Sequence, residues 1–285
     1  MRSVSFQVVE GYHWQQWRQS GIFREPGGDG QISGWETEAP GLFTARLKNG
    51  GTPSPAPFRG RWQKAQHAEA RFWRGWRQNV LYHQVSLVHF WADILEKTGG
   101  PLEPGKVLDV GCGPVSVLNF FRGEGVLPMG LDPLAATYAA DGLVETRRDW
   151  EPIPMIALPA EKLPFADESL DHLICFNVLD HVADAPAVLA ELRRILKPGG
   201  SLRVYVHTFA PWIKRFLFFD RPHTYHWDHR EFARLLAVSG FSLTREHHEP
   251  KSFDLPSGWW GKFRFFPYWV ATKVGATSYF QVRKP

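Results

Sequence analysis

Val107-Leu108-Asp109-Val110-Gly111-Cys112-Gly113 is an apolar run that passes directly into a glycine turn. Val115 to Phe121 follows with helical spacing, so the stretch is predicted to be strand, turn and helix. Glycines at the carboxyl end of a first parallel strand let the backbone approach a ligand closely. The first turn of the next helix offers unpaired N–H groups to an anionic portion of that ligand. A ligand crossing this edge is the expectation, against the plainer reading of a tight connection that binds nothing.

About twenty residues further on, the spacing usual between such a turn and a ribose-binding acid, the apolar run Val126 to Leu131 ends at Asp132-Pro133. A carboxylate there is placed to accept hydrogen bonds from both ribose hydroxyls, which points to an adenosine-containing cofactor. Standing alone, Asp132 would serve equally well as the N-cap of a helix over Ala135 to Ala140. Ser116 occupies the place where a dinucleotide fingerprint wants its third small residue, so glycine spacing weakens a nicotinamide cofactor without excluding it.

Around this centre short apolar runs alternate in type. Strands are predicted at 106–110, 126–131, 155–158, 170–176 and 201–206, with helices at 135–140 and 186–196. Strands separated by helices imply an α/β fold, Rossmann-like, with a mostly parallel sheet flanked by helices. A helix over 231–239, stopped at Gly240, precedes two more strands at 241–249 and 277–282, which would form an antiparallel edge near the C-terminus. Between them lies an aromatic insertion around 251–276 with Trp259, Trp260, Phe263, Phe265 and Phe266.

Residues 1–100 differ from this pattern, and we divide the chain into an N-terminal accessory segment (1–100) and a ligand-binding domain (101–285). From Pro26 to Gly60 there are eight glycines and five prolines, which reads as loop. Ala65, Ala68, Phe72, Trp76, Val80, Leu87, Trp91 and Leu95 then recur at steps of mostly three or four, an amphipathic helix that Gly75 can break or bend. This helical accessory segment exceeds what a cofactor needs and suits a lid or a substrate-recognition element.

The chain has 285 residues, 44% hydrophobic and 22% charged, enough apolar material for a large core and against wholesale disorder. A formal net charge of +4, with scattered basic residues, disfavours nucleic acid as a partner. Cys112 and Cys175 are the only cysteines, which excludes a disulfide framework and suits a reducing, cytoplasmic setting. No apolar stretch approaches the roughly 18 to 20 residues of a membrane span, and Val4 to Val9 is too short and polar for a secretory leader. The aromatic insertion leaves peripheral membrane contact open.

Val107 to Gly113, Ala160-Glu161-Lys162-Leu163-Pro164-Phe165 before one strand, and Leu196-Lys197-Pro198-Gly199-Gly200 before another occur in that order. Together with Asp132, over roughly residues 100 to 250 on the chain numbering, they resemble the class I S-adenosylmethionine-dependent methyltransferases. The resemblance implies that Asp109, Gly111, Cys112 and Gly113 line the methionyl end, and that Asp132, with Pro133, holds the ribose. Ala160 and Glu161 would flank adenine, and Asn177 would lie beside the methionyl group or the donated methyl. Pro159 stands where the family often carries an acid for the adenine amino group. Asp109 also reads as a residue that fixes the turn from behind.

The cofactor implied is S-adenosylmethionine, with S-adenosylhomocysteine as product. The acceptor would be a small molecule, aromatic or apolar in part, methylated on oxygen or nitrogen. His181, His223 and His226 are the candidate bases for a hydroxyl acceptor, since histidine titrates near ~6.5 when unperturbed. Each reads alternatively as a surface or hydrogen-bonded histidine. The run from His223 to His229 matches no metal-ligand spacing, and no metal is expected. Two other functions compete: an NAD(P)-dependent oxidoreductase, and a non-catalytic protein that binds S-adenosylmethionine.

Overall fold

The computed structural model describes residues 6–11, 13–24, 32–39, 41–47, 61–76, 84–144, 152–214, 224–250 and 275–285. Their strands form one sheet in the order β2-β3-β1-β6-β5-β4-β7-β8-β10-β9. The strands are β1 (Gln7–Val9), β2 (Ile32–Ala39), β3 (Leu42–Leu47), β4 (Gly105–Val110), β5 (Val126–Leu131), β6 (Met155–Ala157), β7 (Leu170–Phe176), β8 (Leu196–Phe209), β9 (Ser242–Pro250) and β10 (Gly275–Arg283). The central five, from β6 across β5, β4 and β7 to β8, are parallel. Antiparallel strands extend the sheet at both ends.

The chain fills one side of β4 with β5 and β6, then returns to fill the other side with β7 and β8. Strand order therefore reverses at β4, and a crevice opens beyond the carboxyl ends of β4 and its neighbours, where open α/β sheets bind ligands. β4 is buried from Val107 to Val110, as expected of a strand covered on both faces.

The helices are α1 (Trp14–Gln19), α2 (Arg61–Trp76), α3 (Gln84–Lys97), α4 (Ala135–Ala140), α5 (Ala185–Ile195) and α6 (His229–Val238). In α5 the buried Ala185, Val188, Leu189, Leu192 and Ile195 recur at helical spacing, and Asp184 caps the first turn by accepting from Ala187 N. α6 starts in a capping box between Asp228 and Glu231. Two apolar clusters cover the sheet: one includes Trp17, Leu173, Leu189 and Phe232, the other Ile94, Val117, Tyr138 and Phe176. No helix of the described residues is long and apolar enough to cross a membrane.

Four sequence expectations need correction. The glycine- and proline-rich stretch contains the β2–β3 hairpin, with Ala39 opposite Leu42 and Gly41 at φ +74° in the turn. Trp35 of this hairpin packs edge-on against Phe6, Trp14 and Phe23, and that distant packing outweighs local composition. The helix expected at 115–121 is a single 3₁₀ turn, Val117–Asn119, with the Ser116 hydroxyl accepting from Leu118 N at its start and Phe120 N donating to Val117 O at its end. The helix expected across 62–97 is two helices, α2 and α3. The Leu196–Gly200 segment, expected ahead of a strand, already belongs to β8. The aromatic residues of 251–274 lie outside the described residues, while 275 and 276 open β10.

Candidate functional site

The turn leaving β4 is left-handed at both glycines, with φ +68° at Gly111 and +60° at Gly113, a conformation that disfavours any side chain. Gly111 N and Cys112 N donate to Leu131 O at 2.6 and 3.1 Å, which binds the turn to the end of β5. A methyl group on Gly111 would overlap Val178 Cγ2, and one on Gly113 would meet Trp73 Cζ2 of α2 at 3.3 Å. Asp109 lies beneath the turn, where it accepts from Ser116 Oγ at 2.6 Å. Burial pushes its carboxyl up to about 7, against the opposing pull of its hydrogen bonds.

Asp132 joins the two loops. Gly113 N donates to its Oδ2 at 3.0 Å and Leu134 N to its Oδ1 at 2.8 Å, so the carboxylate serves as a local cap at the start of the α4 turn and as a clamp on the glycine loop. Each oxygen keeps a second lone-pair direction for a ligand hydroxyl. Burial raises its pKa to about 7; the two backbone bonds oppose this, and the charge of Glu69 adds to it.

These loops border a half-open cleft of about 690 Å³, mouth included. Gly111, Leu131, Asp132 and Pro133 line one side; Pro159, Ala160 and Glu161 line another; Asn177, Val178, His181 and Val182 continue the wall; and Gln66 and Glu69 of α2 complete it. Asn177 is left-handed (φ +58°), and its Oδ1 is buried without a hydrogen-bond partner. A strained residue with an unsatisfied polar atom on a cleft wall is the arrangement expected where a ligand supplies the partner. Glu161 accepts from Ala183 N at 3.0 Å, and burial raises its pKa.

Seven of the sequence-derived residues thus meet around one cleft: Gly111, Asp132, Pro133, Ala160, Glu161, Asn177 and His181. Asp109 and Gly113 support it from within the loop. Cys112 does not line it; its buried Sγ faces Met155 Sδ at 3.8 Å. His181 Nε2 is 3.9 Å from Asp180 Oδ1, beyond hydrogen-bond reach in this geometry. His226 lies off the cleft, with its ring edge-on to Phe209 at 5.5 Å. It is linked to the cleft loop through Thr224 N and Tyr225 N, which donate to Asp180 O at 2.6 and 3.3 Å. His223 lies outside the described residues. Among the described residues no three His, Cys, Asp or Glu side chains gather as a metal set.

Sequence reading missed Gln66 and Glu69. Their signal was faint: Glu69 is the single acid in the sixteen-residue α2, on a helix notable otherwise for its tryptophans. Trp73 Nε1 donates to Glu69 Oε1 at 2.8 Å and holds that acid in place.

Comparison with known proteins agrees with this geometry. Residues 108–204 match the family model of a methyltransferase domain. A ubiquinone biosynthesis O-methyltransferase of Rhizobium rhizogenes is 31% identical over 114 residues, 38% of this chain and 43% of its own length. The chain spans 23%, 58% and 43% of the lengths of three curated relatives it matches. Among solved structures, a Haemonchus contortus phosphoethanolamine N-methyltransferase superimposes with TM-score 0.55 at 17% identity, covering 86% of this chain and 63% of the other. Geranyl diphosphate C-methyltransferase from Streptomyces coelicolor gives 0.54 at 13% identity, covering 80% of this chain and all of the other (100%). By that match residues 108–204 are a methyltransferase domain, and the parallel sheet opening a cleft at the β4 crossover resembles the class I S-adenosylmethionine-dependent methyltransferases.

Proposed function

We propose that this protein transfers the methyl group of S-adenosylmethionine to a small-molecule acceptor, on oxygen or nitrogen, and releases S-adenosylhomocysteine. The observation that carries the choice of cofactor is the charge of the cleft. Its described lining residues include three acids, Glu69, Asp132 and Glu161, and neither lysine nor arginine. A sulfonium and an ammonium suit such walls. The diphosphate of a nicotinamide dinucleotide would find no cation to pair with, and the short 3₁₀ turn after β4 offers little of the helix N-terminus such phosphates use.

When bound, the sulfonium supplies an activated methyl group and a good leaving group. The protein's task is to align the acceptor with the methyl carbon and to exclude water. Asp132 would accept from the ribose hydroxyls, with Pro133 packing alongside. Gly111 and Gly113 would admit the methionyl part against bare backbone, while Cys112, through its N–H to Leu131 O, and Asp109 would hold the turn in shape. Ala160 and Glu161 would flank adenine, with Pro159 denying it the usual acidic partner. Asn177 would direct its Oδ1 at a donor on the methionyl side. For a hydroxyl acceptor, His181 on the cleft wall is the favoured base, with His223 and His226 as alternatives.

Residues 1–100 would act as an accessory segment that covers the cleft through α2, and 101–285 as the donor-binding domain. Relatives and neighbours named for oxygen, nitrogen and carbon methylation support the transfer reaction without selecting one acceptor atom. The two buried, unpaired cysteines fit a cytoplasmic setting. Pro159 on the cleft wall favours one second reading, a protein that binds the donor without transferring its methyl group.

Isothermal calorimetry with S-adenosylmethionine, S-adenosylhomocysteine and NAD tests the assignment. Binding of the first two and not of NAD is expected, followed by turnover on a panel of hydroxyl and amine acceptors. Binding of NAD alone would overturn the assignment, and donor binding without turnover across the panel would favour the second reading.

A further inference from the structure

We infer that Glu69, carried into the cleft by the N-terminal helix α2, is a specificity-determining residue that makes the site prefer the cationic methyl donor over its neutral product. The inference rests on the proposed methyl-transfer function and extends it to how donor and product are told apart.

Asp132 and Glu161 come from the loops after β5 and β6, and both are already engaged by backbone N–H groups that hold the carboxylates in position. Glu69 arrives from a different part of the chain, on a helix that closes over the glycine loop through Trp73. Its Oε1 is pinned by Trp73 Nε1 at 2.8 Å. It lies close enough to Asp132 for its charge to act on that carboxyl. No basic side chain is among the described residues lining the cleft, so a positive ligand there meets carboxyl groups and no like charge.

Charge is the chief electrostatic difference between the two ligands. As the acceptor's lone pair bonds to the methyl carbon, the C–S bond breaks and its electron pair stays on sulfur. The positive charge passes to the methylated acceptor, from which a proton then leaves to a base or to water. S-Adenosylmethionine and S-adenosylhomocysteine share adenine, ribose, amino group and carboxylate. A contact to any shared group therefore shifts both affinities together, whereas the field of an acid acting on the sulfonium separates them. A site that holds the product less tightly than the donor also clears itself after each turnover.

Glu69→Gln keeps an oxygen to accept from Trp73 and removes only the charge. Calorimetry on the full chain should show S-adenosylmethionine binding weakened about 3- to 10-fold, with S-adenosylhomocysteine within about twofold of wild type. Gln66→Glu, which adds an acid to the same wall, should move the ratio of the two affinities the other way, and it keeps the inference testable if the first variant folds poorly. Equal weakening of both ligands by Glu69→Gln, or no change in either, would overturn the inference while leaving methyl transfer intact. Failure of the wild-type chain to bind either ligand would remove the proposed function and the inference with it.

Discussion

The two ends of this sheet bury large and polar groups to opposite purposes. At the N-terminal end, Phe6, Trp14, Trp17, Phe23 and Phe165 are buried together around α1 and the β2–β3 hairpin. Their rings meet at tilted and edge-on angles, and Trp17 Nε1 donates to Pro128 O at 2.8 Å. Trp14 Nε1 is the one ring nitrogen of this cluster that lacks a partner. At the carboxyl rim of the parallel strands the chain instead buries Asp109 and Asp132, leaves Asn177 left-handed, and strands its Oδ1. The aromatic end buries rings against rings, whereas the rim keeps polar groups short of their full complement, a condition that a ligand relieves.

The comparison is sharpest if stability and binding can be lost separately. Trp17→Ala should have the largest effect, about 3–5 kcal/mol of unfolding free energy, since it deletes a fully buried ring and leaves Pro128 O unpaired. Urea denaturation measures the loss, and calorimetry on the folded fraction should find donor affinity within about twofold of wild type. A matching loss of affinity would show that the two ends are coupled.

His181→Ala should do the reverse. Turnover on a hydroxyl acceptor is expected to fall about 100-fold, the low end for a lost general base, with donor affinity and Tm unmoved. Unchanged turnover would take His181 out of the mechanism. Asp132→Ala should weaken donor binding about 10- to 30-fold by removing the ribose acceptors, measured by calorimetry against S-adenosylhomocysteine; an unaltered affinity would move the ribose elsewhere.

The smallest effect concerns pH. Asp109 and Asp132 are raised from 3.8 to about 7 in the fold, first by burial. The native state therefore keeps protons that the unfolded chain has released. Stability from these two groups is fully present below 3.8 and is lost as pH rises through about 7. Asp109→Asn, which keeps an oxygen to accept from Ser116, should raise Tm by a few degrees (roughly 2–4 °C) at pH ~8 and less at pH ~5. An equal shift at both would show that the charge on Asp109 carries no such cost.

Legibility followed the same division. The glycine loop and Asp132 could be read from the sequence because their roles depend on neighbours a few residues away: a strand, a turn, and an acid ending the next strand. The 3₁₀ turn in place of a helix was hidden because apolar spacing over seven residues looks the same for one turn as for a helix, and the bonds of Ser116 to Leu118 N and Asp109 leave no trace in that spacing. The β2–β3 hairpin was hidden because its glycines and prolines read locally as loop, while Trp35 is held by residues tens of positions away, such as Phe6 and Trp14.

Sequence by itself determined the alternation that makes a parallel sheet, the left-handed glycine turn at its centre, and the acid beside it, because periodicity and backbone permissiveness are local properties. Only the tertiary structure decided that Glu69 and Gln66 close the cleft, that Cys112 faces away from it, and that His226 stands off it. Those facts depend on which surfaces meet when distant segments pack, and no local pattern encodes the meeting of residue 69 with residue 132.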